Sequence, residues 1–120
     1  VYGQSTATRL TGSMELSALT TSTLGLVLNG INAEDRAGGS VSSGDIDGDG
    51  NMDIIIGAQF SDPGGRLNAG EVYAIYGLPT ATRLTGSADL STLTASSSSQ
   101  GLVLNGIDGF DGLGRSVFSH

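Results

Sequence analysis

Four carboxylates, Asp45, Asp47, Asp49 and Asp53, fall within nine residues of the stretch GDIDGDGNMDIII at 44–56, and no basic residue stands among them. Carboxylates this close repel one another at low effective dielectric, so a folded loop that gathers them calls for a cation at its centre. Ca2+ meets that need: it takes about six to eight oxygens from carboxylates, backbone carbonyls and water. In such loops positions 1, 3 and 5 turn inward together and a glycine at position 6 allows the sharp turn. Asp45, Asp47 and Asp49 occupy the three inward positions, Gly50 is the turn residue, Asn51 offers its carbonyl at position 7, and Asp53 falls at position 9. The competing reading is a solvated acidic turn without metal, and the ligand spacing argues against it.

The residues on either side decide what kind of loop this is. A helix-loop-helix calcium site needs a bidentate Glu at position 12, but Ile56 stands there, inside the apolar β-branched run 54–56. That run reads as a buried strand and 40–43 as a short one before it, so the loop is expected to join two strands. Further strands are predicted at 25–29, 71–76, 102–105 and 116–119. The 71–76 strand carries apolar residues at both parities, as in a sheet packed on both faces. Segments 40–43, 53–58, 71–76 and 102–105 are expected to form one antiparallel four-stranded sheet, because the acidic loop and the Pro/Gly loop at 61–70 both make short reversals. Asn29-Gly30 is a turn signal. Glu34, Asp35 and Arg36 read as a solvated surface salt pair. Around Leu10, Leu16 and Leu19 the abundance of Ser and Thr predicts an ordered loop, although the 16/19 spacing would allow one helical turn.

Composition narrows the class. The chain has 120 residues, 20 of them Gly, and only 5% aromatic residues, which fits one turn-rich all-β domain at most. A net charge of -7 argues against nucleic acid and anionic membrane surfaces as partners. The absence of cysteine excludes disulfides, thiol catalysis and thiolate metal sites. No apolar run approaches the roughly 18 residues of a membrane-spanning helix, so membrane insertion is not expected.

The chain also repeats itself. TATRLTGS occurs at 6–13 and again at 80–87, 74 positions on, and GLVLNGI at 25–31 returns at 101–107, 76 positions on. Val1-Tyr2-Gly3 likewise matches Ile75-Tyr76-Gly77. A fixed period of this length signals a stacked or radial architecture whose units need neighbours to bury their faces.

The pattern GxSVxxGDIDGDGNMDIIIGA at 38–58, followed by a Gly/Pro loop and AGEVYAIYG at 69–77, resembles the FG-GAP repeat, the blade unit of integrin-α-type β-propellers and of many bacterial surface proteins. The resemblance implies an all-β fold of four-stranded antiparallel β-propeller blades, here about one complete blade plus parts of its neighbours. Residues 1–39 would be the end of a preceding blade and the inter-blade loop, 40–105 a complete blade with its calcium loop, and 106–120 the start of the next blade. It also implies Ca2+ bound by Asp45, Asp47, Asp49, Asn51 and Asp53. The chain departs from the family pattern at two packing or turn positions. Ala37-Gly38 and Leu113-Gly114 stand for Phe-Gly, and Gly57-Ala58-Gln59 for Gly-Ala-Pro. The TATRLTGS insert is similar to that of bacterial versions of the repeat.

Catalysis has little support in the residues. His120 is the only histidine and the last residue, which leaves a Ser-His-Asp arrangement without a firm base. Glu71 opens an ordinary strand, Tyr73 and Tyr76 read as packing residues, and 112–114 lacks the Lys of a phosphate loop. The expectation is a non-enzymatic, calcium-binding structural or adhesive repeat module of an extracellular or cell-surface bacterial protein, part of a larger propeller, array or fibre. Its partners would be other repeats of the same protein, other copies of the chain, or cell-surface and matrix ligands. The alternative is a propeller domain appended to a secreted hydrolase or lipase.

Overall fold

Alternating and β-branched apolar residues set the architecture. In the computed structural model, which describes residues 25–79 and 81–119 together with 13, 15, 17 and 18, six strands and one turn of helix follow in order. They are β1 (Leu26–Asn29), β2 (Ser40–Gly44), β3 (Asp53–Ala58), β4 (Glu71–Ile75), β5 (Gly86–Asp89), α1 (Leu90–Leu93) and β6 (Gly101–Asn105). Expectations that fall on Val1, Tyr2, Leu10, Leu16, Leu19 and His120 lie outside the described residues. No helix among the described residues is long and apolar enough to cross a membrane.

The main sheet runs β2-β3-β4-β6 and every neighbouring pair is antiparallel. It is the sheet expected from the sequence, with strand limits shifted by a residue at most. Register divides its side chains into two sets. One face carries Val41, Ile54, Ile56, Tyr73, Ile75 and Val103; the other carries Ser40, Ile55, Gly57, Val72, Ala74, Leu102 and Leu104. Both faces of β4 are apolar and its Val72, Tyr73, Ala74 and Ile75 are all buried, as the sequence predicts for a doubly covered strand.

The first face holds the core. Ile56, Ala58, Tyr73 and Ile75 pack with Leu90 and Leu93 from α1, and Leu28, Leu84 and Ala88 close around them. Leu90 and Leu93 are the second-copy counterparts of Leu16 and Leu19 by the 74-residue offset, and in this copy they lie on one turn of helix and are buried. Burying two leucines three residues apart outweighs weak propensity. Thr92 Oγ1 donates to the Asp89 carbonyl at 2.8 Å and Thr94 Oγ1 to the Leu90 carbonyl at 2.7 Å, so the hydroxyls close the turn. Beside α1, β1 and β5 form a two-stranded parallel pair, tied by Asn29 Nδ2 to Ser87 Oγ and Asp89 Oδ1 at 3.0 and 2.9 Å.

The second face is crossed by residues 113–119. Ser40 Oγ donates to the Gly114 carbonyl at 2.7 Å, and the Ser119 hydroxyl donates to the Ser43 carbonyl. At Gly57 the approach is so close that a Cβ would run into the Gly114 carbonyl oxygen and Ser40 Oγ. The strand expected at 116–119 does not form. This segment lies over a sheet face and not along an edge, so its backbone has no ladder to join. The surface salt pair is corrected as well: Asp35 is buried and accepts from Asn32 Nδ2 at 3.1 Å, while the Arg36 guanidinium lies 4.8 Å from the centre of the Phe60 ring.

Candidate metal centre

The loop between β2 and β3 folds around its own carboxylates. Asp45 Oδ1 accepts from the Gly48 and Asp49 N–H groups at 2.8 and 3.1 Å, and its Oδ2 from Gly50 N–H at 3.0 Å. Asp47 Oδ1 accepts from Asp49 N–H at 3.1 Å. Asp49 in turn accepts from both the Asn51 N–H, at 2.7 Å, and the Asn51 side-chain amide, at 2.9 Å. These side-chain-to-backbone bonds wind the chain into successive turns. Gly48 and Gly50 take the positive φ values, 80° and 89°, that the winding requires.

The result brings Asp45, Asp47 and Asp49 together, each exposed, with one carboxylate oxygen apiece lying within 4.8 Å of the others. The cluster's charge shows in its titration. Asp47, though at the surface, loses enough hydration among its neighbours for its carboxyl pKa to rise. Repulsion from Asp49, Asp53 and Asp45 adds to that rise, while the hydrogen bond from Asp49 N–H opposes it. Asp49 moves the other way, held ionised first by the Asn51 side-chain amide and then by the Asn51 N–H. The donor set is all oxygen and carries three negative charges, and the sequence has no basic residue from 37 to 65. Such a cluster could hold a metal ion, and the hard oxygen set suits Ca2+ or Mg2+ over the softer metals that take nitrogen and sulfur.

The other two sequence candidates stand differently. Asp53 is 0% exposed; its Oδ2 accepts from Ile46 N–H and its Oδ1 from Gly77 N–H, both at 2.7 Å. It therefore pins the start of the loop to the end of β4 and lies outside the three-carboxylate group. Asn51 directs its side-chain N–H to Asp49, so its contact with the cluster is as a hydrogen-bond donor. Ile46 and Gly77 thus belong to the site through their N–H groups, although neither has chemistry to mark it in the sequence. The position of Asp53 as the first residue of a buried strand was the available signal.

The loop, the strands it joins and the β4 to which Asp53 anchors it all fall inside a single family match. Residues 37–75 match the FG-GAP repeat. In this FG-GAP segment the acidic loop connects the first two strands of the sheet and the Pro/Gly loop connects the second and third. The repeat is of the β-propeller type, and the described residues form one four-stranded antiparallel sheet without a closed propeller. No curated protein and no solved structure matches the chain.

Proposed function

We propose that the chain is a calcium-binding structural or adhesive repeat module of an extracellular bacterial protein and that it works through its surfaces, without catalysis. The observation that carries this reading is the convergence of Asp45, Asp47 and Asp49 in the strand-joining loop of an FG-GAP repeat. Ca2+ would sit among these three carboxylates with the Asn51 carbonyl, and Asp53 would hold the loop against β4. Extracellular free Ca2+ is high enough to fill even weak sites of this kind. Residues 40–105 would be the complete blade, 1–39 the end of the preceding one with the inter-blade loop, and 106–120 the start of the next. Its first partners would be other repeats of the same protein or other copies of the chain, with cell-surface or matrix ligands beyond them. The family itself is typical of extracellular proteins.

Thermal unfolding with millimolar CaCl2 against excess EGTA tests the proposal. At free Ca2+ about 100-fold above Kd, binding to the folded state adds about 2.7 kcal/mol. With an unfolding entropy of about 2.1 cal/mol/K per residue, that raises Tm by about 11 °C for a chain of this size. Identical melting curves in the two buffers would exclude the site.

A further inference from the structure

On the side of the sheet where β3 turns into β4, the structure carries a second feature that the metal loop does not explain. An open cleft of about 320 Å3 lies between the β3–β4 loop and the segment after β6. Phe60, Gln59 and Asn68 line it from the first loop, and Phe110, Asp111 and Arg115 from the second. The two loops are laced together by backbone bonds: Phe110 N–H to the Leu67 carbonyl at 2.8 Å, Gly112 N–H to Asn68 at 3.0 Å and Leu113 N–H to Ala69 at 2.9 Å. The walls are therefore fixed before anything enters.

Phe110 is the unusual member. It is 74% exposed and its backbone is left-handed, with φ 67°. For a bulky side chain that conformation is strained, and glycine would avoid the strain. Glycines stand at 109 and 112, yet phenylalanine holds the strained position between them. The repeat does not demand it. In the first copy the corresponding residue is Glu34, within a 3-10 turn over Ala33–Asp35. An exposed ring held in a strained conformation beside a cleft of mixed polar and apolar lining is the arrangement of a ligand platform.

The chemistry of the walls selects the ligand. A cation is disfavoured because Arg36 already covers Phe60 at 4.8 Å and Arg115 is part of the cleft lining. An anion is opposed by Asp111 and by the net charge of -7. What remains is a neutral molecule with an apolar face for the Phe110 ring and several hydroxyls for the Gln59 and Asn68 amides, the Asp111 carboxylate and the Arg115 guanidinium. We infer that this cleft is a binding site for a neutral saccharide, with Phe110 as the stacking platform. The inference is independent of the calcium proposal, since none of its residues belongs to the acidic loop.

The test is binding of neutral gluco-, manno-, galacto- and xylo-oligosaccharides to the chain, on an array and then by titration. It compares the wild type with Phe110→Gly and with Phe118→Ser, a phenylalanine of similar exposure (78%) outside the cleft. Phe110→Gly removes the ring and relieves the backbone, so its Tm should equal or exceed that of the wild type. The expected result is that at least one saccharide binds, that Phe110→Gly weakens it tenfold or more, and that Phe118→Ser leaves it unchanged. The inference is overturned if none of the saccharides binds, if Phe110→Gly binds equally well, or if hexa-arginine binds at Phe110 while the saccharides do not.

Discussion

Replacing Asp53 and Asp47 by alanine, one at a time, should separate two roles that the sequence assigns to all the acidic residues alike. Asp53 is fully buried and accepts two backbone N–H groups at 2.7 Å. A hydrogen bond to a charged acceptor contributes about 1.5–3 kcal/mol, and a buried donor left unmet costs a comparable amount. Ile46 and Gly77 lie near enough to the surface for water to recover part of this, so Asp53→Ala should lose about 2–4 kcal/mol. At about 4 °C per kcal/mol for 120 residues, that lowers Tm by about 8–16 °C. The loss should be present in EGTA, because the bonds need no ion. Asp47 is exposed and accepts one N–H at 3.1 Å. Asp47→Ala should therefore melt within about 2 °C of the wild type in EGTA, as expected of a surface substitution, yet lose the gain on adding CaCl2. Differential scanning calorimetry of the three proteins in both buffers reads all of this. If Asp53→Ala melts with the wild type in EGTA, the assignment of Asp53 as the pin between loop and β4 is wrong.

Two further outcomes follow from the sheet. The Tyr73 hydroxyl donates to Glu71, and burial, with the adjacent Glu71 carboxylate, pushes its pKa well above the ordinary phenol value. Folded Tyr73 thus keeps its proton at pH values where the unfolded chain, titrating near 10, has released it, so stability should fall as pH rises past about 10. Urea unfolding from pH 8 to 11 should show that fall, and Tyr73→Phe should flatten it while costing about 1–2 kcal/mol at pH 8. Gly57→Ala should push the Gly114 carbonyl away from the sheet at a cost of about 1–3 kcal/mol, and amide exchange at 114–119 should quicken; unchanged protection there would contradict the close packing.

Much of the main sheet was legible because its signals are local. Ile54, Ile55 and Ile56 with Val72 to Ile75 specify strands, and the loops between them are short enough to fix antiparallel neighbours. The order of the clustered carboxylates was equally plain, since the 1, 3, 5 spacing and Gly50 are visible in a line of text. What escaped depends on distance in the chain. The helical turn at Leu90 and Leu93 forms because Tyr73 and Ile75 lie above it, and no window around those leucines contains either partner. The burial of Asp53 depends on Gly77, 24 residues away. The Phe110 platform depends on Leu67 and Asn68, which a contiguous motif does not reach.

The repeat explains why both faces of so small a sheet are met. By the 76-residue offset β1 is the counterpart of β6, so Leu26 and Leu28 correspond to Leu102 and Leu104. On β6 these leucines belong to the second face, with Val72 and Ala74. On β1 they point at the first face of the sheet, where Leu28 packs on the core and both residues border a groove with Ile54 and Ile56. On the opposite side 113–119, the counterpart of 37–43, crosses the second face at Ser40 and Gly57. The second face of one copy therefore meets the first face of the next, and the chain displays this contact twice, once through the strand β1 and once through the irregular segment 113–119. Leu28 is half-buried where a sheet lies beneath it, while Leu104, its counterpart, is 55% exposed. The same residue changes burial with its neighbour, as expected where stability is a sum over stacked units and the interfaces between them.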